Sequence, residues 1–311
     1  MERCEDYITL GGKQMAVPAY RFGDLFVVIT GAMPRIAQIK DEWYYEKAFD
    51  AEKIFGALKD AKAPADLFTF AQRLPDIRQM HSYPCERDNY AALPITAYET
   101  WLERISSKER RAISRARDMG LKVDIASFDD RLIRGITKIY NETPIRQGRK
   151  FWHYGEDYEK VKRVNETYPD RAVFLGAWLD NELVGFIKLV SSGNLARTMQ
   201  IISKNAHRDK SPTTMLIAGA VELCYKRGLE YLVYGKYTYD EEEEESGLSE
   251  FKRHNGFKRF DIPRYYIPLN ARGTLSLKTG LHHGAKSLIP SPLKSRIKTI
   301  RTTVYNRIYQ R

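Results

Sequence analysis

Phe174-Leu-Gly-Ala-Trp-Leu179 and Leu183-Val-Gly-Phe-Ile-Lys-Leu-Val190 are two apolar runs separated by the polar triplet Asp180-Asn-Glu182. Apolar runs joined by a short polar turn predict a β-hairpin. A third apolar run, Thr198-Met-Gln-Ile-Ile202, follows a polar turn and predicts a third strand. The stretch from residue 173 to residue 268 therefore decides the fold, and the other segments are interpreted around it.

A long helix is predicted after the third strand. Ser211 and Pro212 are start signals, because Ser caps helices and Pro fits the first helical position. Apolar residues recur at helical spacing as far as about Arg227, and Gly228 is a stop signal. Next come a predicted strand over 229–234, a short helix ending at Asn255-Gly256, and a pair of strands over 257–267. The predicted order is β-β-β-loop-α-β-α-β.

The composition indicates a folded, basic protein. The 311 residues are 43% hydrophobic and 29% charged, which excludes intrinsic disorder and favours two modules. The net charge of +11 favours a polyanionic partner such as RNA, a phosphorylated cofactor or a membrane surface, although many basic proteins bind no polyanion. Three dispersed cysteines exclude a disulfide framework. With no signal peptide and no apolar run of bilayer length, we expect a cytoplasmic location. Peripheral contact with the inner face of the membrane is compatible with this location.

Four consecutive segments are predicted. Residues 1–95 predict a degenerate N-terminal α/β module, with strands over 7–40 and 66–71 and a helix capped by Asp50. Residues 96–120 predict a basic helical connector in which Thr96 caps the first helix. Residues 121–270 predict the main domain, and residues 271–311 predict a basic amphipathic tail.

Two of these segments are strongly basic, and each has two interpretations. Residues 106–117 contain five Lys or Arg and one Glu, which predicts either a solvated helix face or a docking stripe for phosphates. Residues 272–311 contain nine Lys or Arg and no acidic residue. Apolar residues recur there at helical spacing from Leu293 to Ile308. This amphipathic helix either packs on its own domain or contacts a membrane surface through 292–311.

Three segments resemble the GNAT acyltransferase superfamily over roughly residues 121–268. They are the turn from Ala206 to Leu216, the helix end at Arg227-Gly228, and Phe251-Lys-Arg-His-Asn-Gly-Phe257. The resemblance implies an α/β fold with a mixed sheet, in which a GNAT-like acyltransferase domain follows a smaller, degenerate GNAT-like module. It also implies that backbone amides before the long helix bind the phosphates of acyl-CoA.

The phosphate loop departs from the family pattern, because it reads Arg208-Asp-Lys-Ser211-Pro-Thr213 where the family has glycines. Side chains hinder the close approach of a pyrophosphate, and Pro212 removes one amide donor. A branch without the glycine signature, the FemAB-like group, joins two GNAT-like modules, and its peptidoglycan members use aminoacyl-tRNA. The degenerate first module, the basic connector and the net charge resemble this branch.

The resemblance implies acyl or aminoacyl transfer to an amine or hydroxyl of a small-molecule, cell-envelope or polysaccharide precursor, with acyl-CoA or aminoacyl-tRNA as the donor. The reacting atoms are expected where two central strands separate, between residues 200–203 and 234–237. The catalytic candidates are Glu142, Lys236, Tyr234 and Tyr237. The donor-binding candidates are His207, Arg208, Lys210, Ser211 and Thr213. The acceptor-binding candidates are Arg146, Gln147, Arg149, His153, Tyr154 and Lys252.

The loop from Glu142 to Tyr154 enters this set because it mixes basic and aromatic residues, which suit stacking on a ring while binding phosphate. Each candidate also has a simpler interpretation as a packed residue. No spacing typical of metal ligands occurs, so we expect no metal. The alternative function is a non-catalytic RNA- or membrane-surface-binding protein on the same scaffold, because a fold alone does not decide function.

Overall fold

The computed structural model of the chain describes residues 1–10, 13–46, 49–146, 148–238 and 247–284. In the described residues the strands are β1 (Glu2–Leu10), β2 (Lys13–Phe22), β3 (Leu25–Thr30), β4 (Ile36–Ile39), β5 (Leu67–Ala71), β6 (Cys85–Pro94), β7 (Lys122–Ala126), β8 (Ile145–Arg146), β9 (Arg149–Lys150), β10 (Ala172–Leu179), β11 (Glu182–Ser192), β12 (Leu195–Ser203), β13 (Tyr231–Lys236) and β14 (Lys258–Pro268). The α-helices are α1 (Ala51–Asp60), α2 (Tyr98–Arg104), α3 (Ser107–Asp118), α4 (Asp130–Tyr140), α5 (Tyr158–Asn165), α6 (Pro212–Lys226), α7 (Gly247–His254) and α8 (Ala271–Thr279). Among the helices of the described ranges, none has the length and apolarity that a bilayer crossing needs.

The chain forms two compact units that interleave along the sequence. The first unit contains Met1–Arg87, Pro144–Trp152 and Ile262–Arg311, and the second unit contains Asp88–Thr143 and His153–Asp261. The chain passes from one unit to the other within β6 and again within β14. The predicted boundaries at residues 95, 120 and 270 divide the chain into consecutive segments, and they stay a prediction.

The first unit is a mixed sheet covered by α1. Its strand order is β1-β2-β3-β4-β5-β14, and β4 and β5 run parallel. The α1 helix begins at Asp50 as predicted, because the Asp50 carboxylate accepts hydrogen bonds from the backbone N–H groups of Glu52 and Lys53. The helix buries Ile54 and Leu58 in the apolar core of this unit.

The second unit is a mixed sheet in the order β6-β13-β12-β11-β10-β7. The predicted hairpin is confirmed: β10 and β11 pair antiparallel, with Leu179 opposite Glu182. The two turn residues Asp180 and Asn181 have φ values of 48° and 66°, the left-handed conformation that a tight hairpin turn requires. The predicted order β-β-β-loop-α-β-α-β is also confirmed, from β10 through α6, β13 and α7 to β14.

The α6 helix supplies the centre of the second core. Its buried residues occur on almost every side of the helix. Leu216, Ile217, Ala220 and Val221 are almost completely buried, and they belong to one apolar cluster with residues of β10, β11 and β13. An all-round apolar helix is typical of a helix enclosed by other elements.

Several local predictions were wrong. Residues 257–267 were predicted as a pair of strands, but they form the single strand β14, because no turn interrupts them. Thr96 does not cap α2; Ala97 holds the N-cap position without a side-chain bond. Ser211 does hold the N-cap position of α6, but its left-handed backbone, with φ 50°, leaves no side-chain cap bond. The β6 strand was missed, because charged residues at its start hide the apolar pattern.

Candidate active site

The β12 and β13 strands separate near the middle of the second unit's sheet. They pair in parallel at three positions, from Leu195 opposite Tyr231 to Arg197 opposite Val233. Beyond these positions β12 continues beside β11 as far as Ser203, whereas β13 continues beside β6 as far as Lys236. A gap therefore opens between 198–203 and 234–236, the region in which the sequence predicts the reacting atoms.

A β-bulge bends β13 at this gap. The register of β13 against β6 shifts between Val233 and Gly235, and Gly235 has a φ of 137° that an L-residue rarely adopts. Bulges redirect side chains and end strand pairing. The ring of Tyr234 lies edge-to-face on Phe251 and Phe257, with ring centroids 6.4 and 5.5 Å away. Tyr234 is thus a packed residue that forms a wall beside the gap.

Lys252 on α7 is buried beside the end of β13. Its relative exposure is 0%, and its Nζ donates hydrogen bonds to the backbone carbonyls of Lys236 at 2.6 Å and Tyr237 at 3.0 Å. The same Nζ lies 5.2 Å from the centroid of the Tyr234 ring. A buried ammonium is costly unless dipoles or a π face compensate it, and these groups do so. The strand end therefore holds the Lys252 amine away from water, between two carbonyls and a ring face.

The β6 strand supplies polar partners to the same strand end. The Lys236 Nζ lies 3.6 Å from the Asp88 carboxylate, and the Lys236 side chain is 47% exposed. The backbone N–H of Tyr237 donates to the Asn89 carbonyl, and that of Thr238 donates to the Asn89 side-chain oxygen at 2.7 Å. Asp88 and Asn89 were missed as site residues because β6 was not predicted. Four predicted residues, Tyr234, Lys236, Tyr237 and Lys252, come together here.

Glu142 contacts the loop before α6. Its carboxylate accepts hydrogen bonds from the backbone N–H groups of Asn205 at 2.7 Å and Ala206 at 2.9 Å. A second carboxylate, that of the buried Glu109, accepts from the hydroxyl of Thr214 at 2.7 Å in the first turn of α6. Amides at the start of a helix are the groups that bind phosphate oxygens in proteins. Here Glu142 accepts from amides at the start of the 3-10 segment Asn205–Lys210, ahead of α6, and Glu109 lies beside the first turn of α6. Their negative charge near this loop opposes a pyrophosphate.

The predicted donor-binding residues lie together on this loop, and several face acidic partners. His207 Nε2 lies 3.7 Å from the Glu182 carboxylate, which also pairs with Lys204. The hydrogen bond from Lys204 lowers the pKa of Glu182. Lys210 pairs with the neighbouring Asp209 at 3.2 Å, and its hydrogen bond lowers the pKa of that carboxyl.

The other predicted donor-binding residues are Arg208, Ser211 and Thr213. Arg208 is exposed. The Thr213 hydroxyl bonds to that of Ser203 at 2.8 Å, and Ser211 forms the left-handed residue before the helix. Much of the positive charge of the loop is therefore balanced within the protein.

The predicted acceptor-binding residues divide between the two units. In the second unit, the His153 ring stacks on Tyr140 with centroids 4.3 Å apart, and its Nδ1 lies 3.0 Å from the Glu156 carboxylate, so His153 is a packed residue. In the first unit, Arg146 lies 4.7 Å over the Phe151 ring on the β8–β9 hairpin. The Arg149 and Tyr154 side chains are exposed, and Gln147 and the predicted tail helix lie outside the described residues.

No protein-family model matches the sequence, and no curated protein sequence matches it. Solved structures do share its fold. FemX has a TM-score of 0.58 and 12% identity, over 88% of this chain and 89% of that chain. L-PGS from Bacillus licheniformis has a TM-score of 0.55 and 12% identity, and the C-terminal domain (DUF2156) of a candidate lysylphosphatidylglycerol synthetase from Agrobacterium fabrum has 0.54 and 14%; each covers 83% of this chain and 86% of that chain. The predicted GNAT-like, FemAB-like fold is thereby confirmed.

Proposed function

We propose that this protein is an acyltransferase that moves an acyl or aminoacyl group to an amine or hydroxyl acceptor, with Lys252 at the centre of the reaction. The observation that carries the proposal is the buried ammonium of Lys252 at the end of the β12–β13 gap. Attack on an acyl carbonyl places negative charge on its oxygen. A fixed cation in a dry site stabilises that charge without reorganisation.

The groups around Lys252 receive distinct roles in this proposal. The carbonyls of Lys236 and Tyr237 position the Lys252 ammonium, and the Tyr234 ring closes one side of the gap. The acceptor must lose a proton when it attacks, and the nearby carboxylate of Asp88 has the chemistry of a general base. As the acceptor–acyl bond forms, the donor's acyl bond breaks, and the proton taken by Asp88 passes to the leaving oxygen or sulfur. The fold shared with FemX and L-PGS supports a transfer reaction by analogy.

We further propose aminoacyl-tRNA, rather than acyl-CoA, as the donor. Glu142 binds the loop before α6 and Glu109 binds a hydroxyl in its first turn, and two negative charges beside this helix start disfavour the phosphates of CoA. The net charge of +11 favours a large polyanion. On α3, Arg110 donates to the carbonyls of Glu103 and Ile105 and Arg117 donates to Tyr98, so part of the basic stripe supports the fold. Arg111 likewise donates to the Ser107 carbonyl, and the exposed side chains that remain for a phosphate backbone include Lys108 and Arg115.

The test is retention of labelled aminoacyl-tRNA on the purified full chain, with uncharged tRNA and acetyl-CoA as competitors. We expect charged tRNA to be retained in preference to uncharged tRNA and acetyl-CoA not to displace it. Displacement by acetyl-CoA would instead assign the donor site to acyl-CoA and leave the acyltransferase proposal in place. Lys252→Met should retain charged tRNA but fail to transfer its amino acid. Lys188→Met is the matched control, because Lys188 in β11 is only 1% exposed.

A non-catalytic RNA-binding protein is the second candidate, favoured by the exposed basic residues of α3. Equal retention of charged and uncharged tRNA, without transfer by the wild type, would support it and contradict the acyltransferase. In that case Lys108→Ala and Arg115→Ala would lower the affinity for tRNA and reduce the dependence of that affinity on salt, whereas Lys252→Met would change neither.

A further inference from the structure

Glu86, His282 and His283 come together in the first unit. Glu86 lies near the start of β6, and the two histidines lie in a short 3-10 turn, Leu281–His283, after α8. His282 Nε2 is 2.7 Å and His283 Nε2 is 3.0 Å from the same Glu86 oxygen, Oε1. One ligand atom from each of the three residues can be chosen so that all lie within 4.8 Å of one another.

The surroundings of His282 orient its ring toward Glu86. The His282 side chain is only 4% exposed, and the Tyr266 ring packs against it at 4.9 Å. Its Nδ1 lies 3.3 Å from the Ser276 carbonyl, which can only accept a hydrogen bond. The Glu86 carboxylate also only accepts, so a neutral His282 ring can donate to one of these two oxygens and directs a lone pair at the other. With the proton on Nδ1, the Nε2 lone pair is the one that faces Glu86. A histidine that donates one N–H to a carbonyl while its other nitrogen meets a cation is the usual arrangement of metal ligands.

The His283 ring also directs its Nε2 at Glu86 Oε1. The rings of His282 and His283 are 4.0 Å apart at their centroids, and both Nε2 atoms face Glu86 Oε1. One divalent cation between the three ligand atoms would be coordinated by both nitrogen lone pairs and by the carboxylate. Tetrahedral ligands at ~2.0 Å from zinc lie about 3.3 Å from one another. The observed distances of 2.7 and 3.0 Å are shorter, so the side chains would move slightly apart to admit the ion.

We propose that Glu86, His282 and His283 bind a divalent first-row transition metal, for which Zn²⁺ is the probe. Two imidazole nitrogens and one carboxylate form a common protein ligand set for zinc, and the fourth position is left to water. Glu86 and His283 are 39% and 47% exposed at their side chains, so water and the ion have access. The site goes beyond the proposed transfer reaction and does not depend on it.

The proposed metal links two parts of the first unit. The α8 helix is already docked there, because Asn270 donates to the Ala65 carbonyl and to the Asp66 carboxylate, and a Cβ at Gly273 would meet the Asp66 carbonyl oxygen at 1.9 Å. The histidines follow α8 directly. A metal on Glu86 would fix the turn after α8 to the start of β6. The sequence conceals the site, because Glu86 and His282 are 196 positions apart.

The experiment uses the full chain without a histidine tag, stripped with EDTA, dialysed and titrated with ZnCl₂ by calorimetry. We expect one Zn²⁺ per chain, and at least tenfold weaker binding in both Glu86→Gln and His283→Ala, since even outer partners of a metal site contribute ~10–100-fold in affinity. The matched control is His254→Ala. His254 forms a single pair with Glu250 at 3.6 Å and should leave the Zn²⁺ affinity unchanged.

A stability measurement gives a second readout. Zn²⁺ should raise the melting temperature of the wild type and of His254→Ala, but not that of Glu86→Gln, because a ligand that binds the folded state stabilises it. The absence of stoichiometric binding by the wild type would overturn the proposal. Binding that survives both Glu86→Gln and His283→Ala would overturn it as well, and would show that Zn²⁺ binds elsewhere on the chain.

Discussion

The second unit buries two lysines, Lys188 and Lys252, with exposures of 1% and 0%. Lys188 lies within β11, and its Nζ donates to the carbonyls of Asn165 and Thr167 and to the Thr167 hydroxyl, all at 2.7–2.8 Å. Asn165 is the last residue of α5, so this cation lies at the negative end of a helix. Lys188 therefore donates hydrogen bonds to the carbonyls at the end of α5, and this role is structural.

Lys252 is held by carbonyls as well, but at a different kind of place. Its two partners belong to the end of β13, next to the gap where pairing with β12 has stopped. At Lys188, in contrast, β11 stays paired with β10 on one side and with β12 on the other, although its register against β12 shifts between Lys188 and Leu189. The difference teaches that burial of a cation does not identify an active site. The interruption of the sheet beside Lys252 is the feature on which its proposed role in the reaction rests.

The largest expected effect in this comparison concerns the pH dependence of stability. Burial lowers the pKa of Lys188 from 10.5 to about 8. Between these two pH values the unfolded chain binds more protons than the folded chain, so stability rises with pH. The cost of burying Lys188 is present in full below about pH 8 and is relieved above it. Relative to Lys188→Met, the wild type should gain about 3 kcal/mol across this range, at 1.36 kcal/mol per pKa unit.

Urea unfolding of both proteins over a series of pH values measures this difference. Lys226→Met is the control, because Lys226 is 68% exposed and pairs with Glu222 on the surface. Its stability curve should follow that of the wild type. Parallel curves for the wild type and Lys188→Met would show that folding does not change the pKa of Lys188. The electrostatic cost assigned to its burial would then be refuted.

A smaller effect is expected from the support of α7, which carries Lys252. The Trp101 indole N–H donates at 3.0 Å to the backbone carbonyl of Asn255, just after α7, and both residues are buried. Trp101→Phe leaves that carbonyl without this donor, which should lower the free energy of unfolding by about 1–3 kcal/mol. Chemical denaturation checks this value. Trp152→Phe, at a residue 60% exposed, should change stability by less than about 0.5 kcal/mol, and an equal loss in both variants would refute a special role for Trp101.

The smallest effect is expected at Lys236. Lys236→Met removes the partly exposed ion pair with Asp88 but keeps the backbone carbonyl that accepts from Lys252. Exposed ion pairs contribute about 0–1 kcal/mol, so stability should change by no more than this. The transfer rate should fall less than in Lys252→Met. A larger rate loss in Lys236→Met would assign the central role to Lys236, which the sequence also named as a catalytic candidate.

Local signals in the sequence predicted much of the second unit. The Asp180-Asn181 turn, the Ser211-Pro212 helix start and the Gly228 helix end each depend on a few neighbouring residues, and their elements form as predicted. The predicted cap at Asp50 is also present, because its carboxylate accepts from the first turn of α1. Short-range hydrogen bonding and backbone preference decide such features, so a single sequence contains them.

Features that depend on distant residues were not predictable in the same way. Lys252 could be named as a substrate-binding candidate, but its complete burial could not, because lysines are almost never fully buried. The contact of Glu142 with the amides of Asn205 and Ala206 joins residues more than sixty positions apart. The interleaved units likewise arise from pairing between distant strands, for which no local pattern exists.

The ratio of two transfer rates tests the central claim most directly. Lys188→Met and Lys252→Met would each be given charged tRNA and hydroxylamine as a general acceptor, at one pH, with spontaneous reaction subtracted and folding checked by circular dichroism. We expect Lys188→Met to transfer at nearly the wild-type rate and Lys252→Met to be slower by about 10²–10³, the usual loss when one group that stabilises an oxyanion is removed. Equal rates in the two variants, with an active wild type, would contradict the assignment of Lys252 to the reaction.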